Sequence, residues 1–228
     1  MSSLLVRTLS SLVLAPIVLA AVYFGGYAFW VFLIVACILS FMEWGRMCRS
    51  VNTRNTNERV SWNWFIPGFL YILVAMASLY WLRLPEDSGQ IMLFWLFALV
   101  WSADTGAYLA GSTIGGPKFA PKVSPKKTWA GFIGALISAG IVGAVSGYIL
   151  NDGSIAISLV ICSVVIGGLS QLGDLLESYA KRHFGVKDSG AIIPGHGGIL
   201  DRIDGLMAAA IGAAIAVYFN LGLNLSWG

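Results

Sequence analysis

The chain has 228 residues, of which 57% are hydrophobic and 11% charged, with 27 glycines and a formal net charge of +3. A soluble domain carries about 25% charged residues, so this sequence lacks the polar surface such a domain needs, and its apolar content excludes low-complexity disorder. An integral membrane protein is the class that remains, with room for roughly six to eight spans of about 20 residues and none for a separate soluble domain.

Seven apolar stretches follow in chain order, at 8–24, 27–42, 64–82, 91–110, 129–150, 155–172 and 206–221. They predict an all-α fold, a polytopic transmembrane helix bundle of about seven spans. Only Gly25 and Gly26 separate the first two stretches, which suits a tight helical hairpin. A removable signal peptide is the competing reading of the first stretch, because Arg7 precedes an apolar run with small residues. The second span follows at once and argues against it.

The basic residues set the orientation. Arg46, Arg49, Arg54 and Arg59 lie between spans two and three. Lys118, Lys122, Lys126 and Lys127 lie between four and five, and Lys181, Arg182, Lys187 and Arg202 between six and seven. With Arg7, thirteen of the fourteen basic residues fall on one side if the spans alternate, and only Arg83 lies opposite. The basic side, and the amino terminus with it, is expected to be cytoplasmic. Trp44, Trp62, Trp64, Trp81, Trp129 and Trp227 sit near span ends, where an indole keeps its N–H wet. Small residues recur in spans five and seven, including the GxxxG pair Gly143 and Gly147 and the series Ala208, Gly212 and Ala216. Plain packing within the bundle is the preferred reading, and a homodimer is allowed. Cys37, Cys48 and Cys162 show no CxxC spacing, so neither a disulfide framework nor a zinc site is expected.

Eleven acidic residues remain, and their places matter. Glu43, Glu58, Glu86, Asp87 and Asp152 fall in loops or at span edges and need no special account. Asp104 lies late in span four, where a carboxylate near the membrane core costs about 2.5–3.5 kcal/mol. It is a candidate functional residue, with a hydrated interfacial position as the alternative. Asp174 and Glu177 stand three apart at the end of span six and share a helix face with Ser178. Asp201 and Asp204 repeat that spacing where span seven begins. Two such pairs beside a dense basic set suit a hard divalent cation, and Mg²⁺ completes its shell with water and substrate phosphates. Helix-end and salt-bridge acids are the alternative.

Between the pairs runs Lys181-Arg182-His183-Phe184-Gly185-Val186-Lys187-Asp188, then Gly190, Pro194, Gly195, His196, Gly197 and Gly198. Glycines let backbone N–H groups approach an anion, and Lys and Arg bind phosphate oxygens by charge-assisted bonds. The loop at 111–128 offers a second basic set, including Lys126, Lys127 and Thr128, without P-loop spacing. Lysines that only enforce orientation are the rival reading for Lys118 and Lys122, and a solvated loop position is the reading for His183.

The stretch Ser178-x-x-Lys181-Arg182-x4-Lys187-Asp188-x-Gly190-x3-Pro194-x-His196-Gly197-Gly198-x-x-Asp201-Arg202-x-Asp204 resembles the signature of phosphatidate cytidylyltransferases, also called CDP-diacylglycerol synthases. Asp104-Thr105-x-Ala107-Tyr108 and Ser124-Pro125-Lys126-Lys127-Thr128 resemble two further elements of that family, in the same order. The resemblance covers about residues 95–215. Ala180 stands where members carry a bulkier apolar residue, and Ala130 where many carry an acid. The division it implies is 1–62, a helical hairpin with a basic loop, and 63–228, a transmembrane catalytic region with its signature at 178–204.

The resemblance implies that CTP and phosphatidate give CDP-diacylglycerol and pyrophosphate, in the cell (inner) membrane of a bacterium with the site facing the cytoplasm. Asp174 and Asp201 would hold Mg²⁺, with Asp204, Glu177 and Asp188 as further metal or supporting candidates and a second cation allowed. Lys181, Arg182, Lys187 and Arg202 would neutralise triphosphate and phosphatidate. Ser178 and His196 would hydrogen-bond phosphate oxygens beside Gly197 and Gly198, while Lys126, Lys127 and Thr128 close the site. Asp174, Asp201, Lys187, Arg202 and Ser178 form the expected catalytic set. No nucleic acid partner is expected. The rivals are a CTP-dependent lipid kinase of polyprenol type and an ion-coupled transporter built around Asp104.

Overall fold

The computed structural model describes residues 3–50, 62–150, 153–193 and 197–223. Among these residues the chain forms seven helices: α1 (Ser3–Phe24), α2 (Gly26–Ser50), α3 (Trp62–Arg83), α4 (Glu86–Thr113), α5 (Trp129–Leu150), α6 (Ile157–His183) and α7 (Leu200–Tyr218). The all-α expectation holds, with one addition: β1 (Lys118–Ala120) and β2 (Ser124–Thr128) pair antiparallel between α4 and α5. Gly25 and Gly26 both take left-handed φ, 60° and 48°, which turns α1 into α2 without a loop. Five helices, α2 to α6, contain windows long and apolar enough to cross a membrane. α7 opens with Asp201, Arg202 and Asp204.

Helix α5 is built small side in and large side out. On α5 the buried residues are Gly131, Ala135, Ala139, Gly143 and Gly147. Ile133, Ile137, Ile141, Val145 and Ile149 repeat along the other face, each more than half exposed. A water-soluble helix does the opposite, whereas lipid solvates the branched side chains and close helix contact supplies the attraction. α4 and α5 touch closely: a Cβ on Gly134 would stand 2.6 Å from the Gly106 carbonyl and 2.5 Å from Ala110 Cβ. Gly143 faces α6, where a Cβ would stand 3.0 Å from the Leu159 carbonyl. The GxxxG pair thus packs inside the bundle.

Successive helices run antiparallel from α2 onward. The end of α2, start of α3, end of α6, start of α7 and the α4–α5 connection meet at one end, as bonds from Trp44 to the Phe65 carbonyl, from Arg182 to the Val123 carbonyl and from Ile199 and Leu200 to Glu43 record. Arg83 lies at the other end, where its Nε donates to the Val22 carbonyl at 3.0 Å. The expected isolation of Arg83 from the other described basic residues is therefore seen in three dimensions.

Two substitutions test the inside-out packing. Gly134→Ala should cost about 1–3 kcal/mol, because the contacted Gly106 carbonyl belongs to a packed helix. Ile137→Ala on the outer face should stay within about 0.5 kcal/mol. Thermal or denaturant unfolding in detergent checks both, and the reverse order would mean the outer face is an interface.

Candidate active site

α6 runs to His183, eleven residues past the apolar stretch that marks it in the sequence. Asp174, Glu177, Ser178, Lys181 and Arg182 therefore ride on a continuous helix. α7 begins at Leu200, so Asp201 and Asp204 lie in its first turns. Gly173 lets the two helices meet: a Cβ there would stand 2.6 Å from Ala208 Cβ and 2.7 Å from the Asp204 carbonyl.

The β-hairpin forms the third wall. An isolated two-stranded hairpin is marginal, and this one is fastened by aromatic contacts. The Phe119 ring stacks on Phe132, centroids 4.8 Å apart, and meets Trp129 edge-on at 4.7 Å. Thr128 is buried, and its Oγ1 accepts the Gly131 N–H at 3.1 Å, capping α5. Lys127 reaches α6, with Nζ 2.8 Å from Asp174 Oδ2 and donating to the Gln171 carbonyl at 3.1 Å. Arg182 Nε donates back to the Val123 carbonyl at 3.3 Å.

Together these walls enclose a cavity of about 460 Å³. Of the residues singled out in the sequence it is lined by Asp104, Lys126, Lys127, Thr128, Asp174, Lys181, Asp188, Asp201, Arg202 and Asp204. Gln171, absent from the sequence reading, also lines it; its Nε2 donates to Asp104 Oδ1 at 2.8 Å. Ser178 Oγ lies 3.3 Å from Asp174 Oδ1, just behind the wall. Arg182 and Lys187 are exposed outside it. His196 lies outside the described residues.

Asp201 is the most heavily bonded acid. Its Oδ1 accepts from Lys181 Nζ at 2.7 Å, and its Oδ2 from the backbone N–H of Gly198 at 2.8 Å and of Ser189 at 3.0 Å. Lys181 also lies 3.3 Å from Glu177 Oε1. Glu177 is 7% exposed and lines a second, mostly apolar cavity of about 170 Å³ with Tyr71, Trp44 and Trp64. Gly197 takes φ +84°, and a Cβ on it would stand 2.6 Å from Asp201 Oδ2, so only glycine lets the loop close over that carboxylate. His183 stacks on Trp64, centroids 4.5 Å apart, at the end of α6.

The expectation that Glu43 needs no special account is corrected. α2 extends to Ser50, eight residues beyond the apolar stretch, so Glu43 is a helical residue and is 0% exposed. Its Oε1 accepts the Ile199 N–H at 3.0 Å and its Oε2 the Leu200 N–H at 2.9 Å. Those groups open α7, whose own N-cap makes no side-chain bond. A helix start leaves N–H groups unpaired, and a carboxylate from another helix satisfies them here.

The carboxylates on the cavity wall supply oxygen donors suited to a hard cation, from Asp174 on one side and Asp201 and Asp204 on the other. No group of three acidic, His or Cys residues among the described residues converges tightly enough to hold a metal alone. These carboxylates are the residues that could hold Mg²⁺, which takes one or two carboxylates and completes its shell with water and substrate phosphates.

Removing the Thr128 cap should cost about 1 kcal/mol in Thr128→Ala, while Thr128→Ser stays near wild type. Thermal unfolding of both variants measures this, and equal stabilities would mean that the hydroxyl does not cap α5.

Residues 51–220 match the profile described as the Cytidylyltransferase family. A phosphatidate cytidylyltransferase of Rickettsia bellii (strain RML369-C) is 40% identical, over 92% of this chain and 88% of the relative. One from Brucella suis biovar 1 (strain 1330) is 35% identical over 92% of each. With a lysine-lined cavity between its hairpin and two charged helix ends, and likeness along nearly its whole length, the chain belongs to the cytidylyltransferase family.

Proposed function

We propose that this protein transfers the cytidylyl group of CTP to phosphatidate, giving CDP-diacylglycerol and pyrophosphate. One observation carries the reading: a single cavity gathers Lys126, Lys127, Lys181 and Arg202 with Asp104, Asp174, Asp201 and Asp204 at one end of a membrane bundle. The named activity of the relatives supports the choice of substrates.

Nucleophile and target are both anionic in this reaction. A lipid phosphate oxygen forms a bond to the α-phosphorus of CTP while the bond to the bridging oxygen of pyrophosphate breaks. Catalysis then consists of positioning and charge compensation. Lys126, Lys127 and Arg202 neutralise the triphosphate from two walls. Lys181, fixed by Asp201 and Glu177, presents charge from the floor. Arg182 and Lys187 add positive charge just outside the cavity, Ser178 steadies Asp174, and Gly197 and Gly198 close over the Asp201 carboxylate. Mg²⁺ held at Asp174 and Asp201, with Asp204, Asp188 and Glu177 in support, supplies further charge neutralisation when bound. A second cation is compatible with the same acids.

Tyr108 lines the cavity and is 73% exposed beside the exposed Leu109 and Ile114, an apolar rim that suits sideways entry of lipid tails. The basic end is cytoplasmic by the positive-inside bias, with the cavity open to CTP from that side. Residues 63–228 form the catalytic region on this reading, in the cell membrane of a bacterium. A homodimer would use surfaces other than Gly143 and Gly147, which already pack inside.

Purified protein given CTP, Mg²⁺ and labelled phosphatidate should release pyrophosphate and form CDP-lipid. CDP with a phosphorylated alcohol would identify a CTP-dependent lipid kinase instead. Asp174→Asn and Asp201→Asn should each lower turnover by at least about 100-fold with the fold retained. Lys122→Ala, whose side chain is exposed outside the cavity, should stay within about threefold. Near-normal rates in the Asp variants would refute the assignment.

A further inference from the structure

Glu43 lies upstream of the 51–220 region that matches the family, on a helix whose sequence offers no other acid. It is nevertheless built into the signature loop. Its carboxylate takes the first N–H groups of α7, and the Ser189 hydroxyl stands 3.1 Å from its Oε2. That same hydroxyl lies 3.0 Å from Asp201 Oδ2. Ser189 is 5% exposed, so water does not substitute for either bond. A hydroxyl carries one proton, and this one is shared between two carboxylates on different helices.

The loop is shaped around Glu43. A Cβ on Gly190 would stand 2.5 Å from Oε1, and one on Gly198 would stand 2.5 Å from Oε2. Gly198 is thus gripped on both sides, its Cα against Glu43 and its N–H bonded to Asp201. Moving the Glu43 carboxylate moves the segment that fixes the Asp201 rotamer.

We propose that Glu43 is a positioning residue of the active site, acting through Ser189, Gly198 and the start of α7 to hold Asp201 at the cavity wall. This rests on the cytidylyltransferase reading above. The amino-terminal hairpin is then part of the catalytic apparatus and more than a membrane anchor. Gln in place of Glu43 keeps the size but turns an N–H₂ donor toward a ring of donors, so at least one bond is lost. Ser189→Ala keeps the backbone bonds of Glu43 and removes the hydroxyl that contacts both Glu43 and Asp201, while the Ser189 N–H still reaches Asp201.

The test compares wild type, Glu43→Gln, Glu43→Asp and Ser189→Ala as detergent-purified full chains, with rates normalised to the monodisperse folded fraction. Misplacing a catalytic group by about 1 Å costs on the order of 100-fold. Glu43→Gln should therefore lose about 10- to 100-fold in kcat while the KM for CTP stays within about threefold, with partial rescue in Glu43→Asp. Hydrogen exchange of the Ile199 and Leu200 amides should quicken in Glu43→Gln while helices α4 and α5 stay protected. Wild-type kcat per folded molecule, with or without a lower unfolding temperature, would overturn the proposal. If Glu43→Gln yields no folded protein, Glu43→Asp decides: a kcat about tenfold below wild type with the KM for CTP unchanged supports it, and an unchanged kcat overturns it. A wild type that makes no CDP-lipid refutes the proposed reaction instead, and unchanged exchange at Ile199 and Leu200 would then still overturn the positioning role.

Discussion

The site depends on the compensation of the Asp201 carboxylate. Four donor contacts reach it, from Lys181 on α6, from Gly198 in the loop before α7, and from the backbone and hydroxyl of Ser189. A carboxylate 6% exposed at the end of an apolar bundle survives as a charge only when it is bonded in this way. Two of these donors are themselves tied elsewhere, Lys181 to Glu177 and Ser189 to Glu43, and across the cavity Lys127 of the hairpin pairs with Asp174. Opposite charges on α6, α7 and the hairpin are thus already paired before any substrate arrives. Anionic substrates entering it would meet lysines already aimed by their carboxylate partners.

The apolar part of the molecule makes that network affordable. Small residues inside α5 and α7 bring helix backbones close, and Gly173 sets α6 against Asp204. The charged ends of α6 and α7 therefore meet within hydrogen-bond range. Branched residues turned outward leave the membrane to solvate the rest. Aromatic rings finish the support from behind: Trp44 and Trp64 pack on Phe184, where α6 ends. Trp44 Nε1 is spent on the Phe65 carbonyl, which joins α2 to α3 at that point.

Hydropathy located the seven described helices, and five of them, α2 to α6, are long and apolar enough to cross a membrane. It misplaced the ends that matter. α2 and α6 continue as helix into charged sequence, where backbone hydrogen bonding persists although hydropathy stops. Reading α2 as ending near residue 42 put Glu43 at an edge and hid its role. Its bonds to Ile199 and Leu200 span more than 150 residues, beyond any local pattern. The cavity acids and lysines were legible because paired acids at helical spacing and clustered lysines are rare in so apolar a chain. Gln171 was not, since a polar residue with no charge leaves no mark in such a count. The hairpin escaped for a related reason: its stability comes from Phe119 on Phe132 and Trp129, a tertiary contact, and its strands are too short to show alternation.

The most direct measurement is a crystal or electron cryomicroscopy structure of the full chain with CTP and Mg²⁺. Triphosphate density inside the cavity, within bonding distance of Lys126, Lys127 and Arg202 and beside Asp174 and Asp201, is the expected result. Nucleotide seated elsewhere, for example against Tyr27, Tyr80 and Arg83 at the opposite end of the bundle, would contradict the assignment of this cavity as the active site.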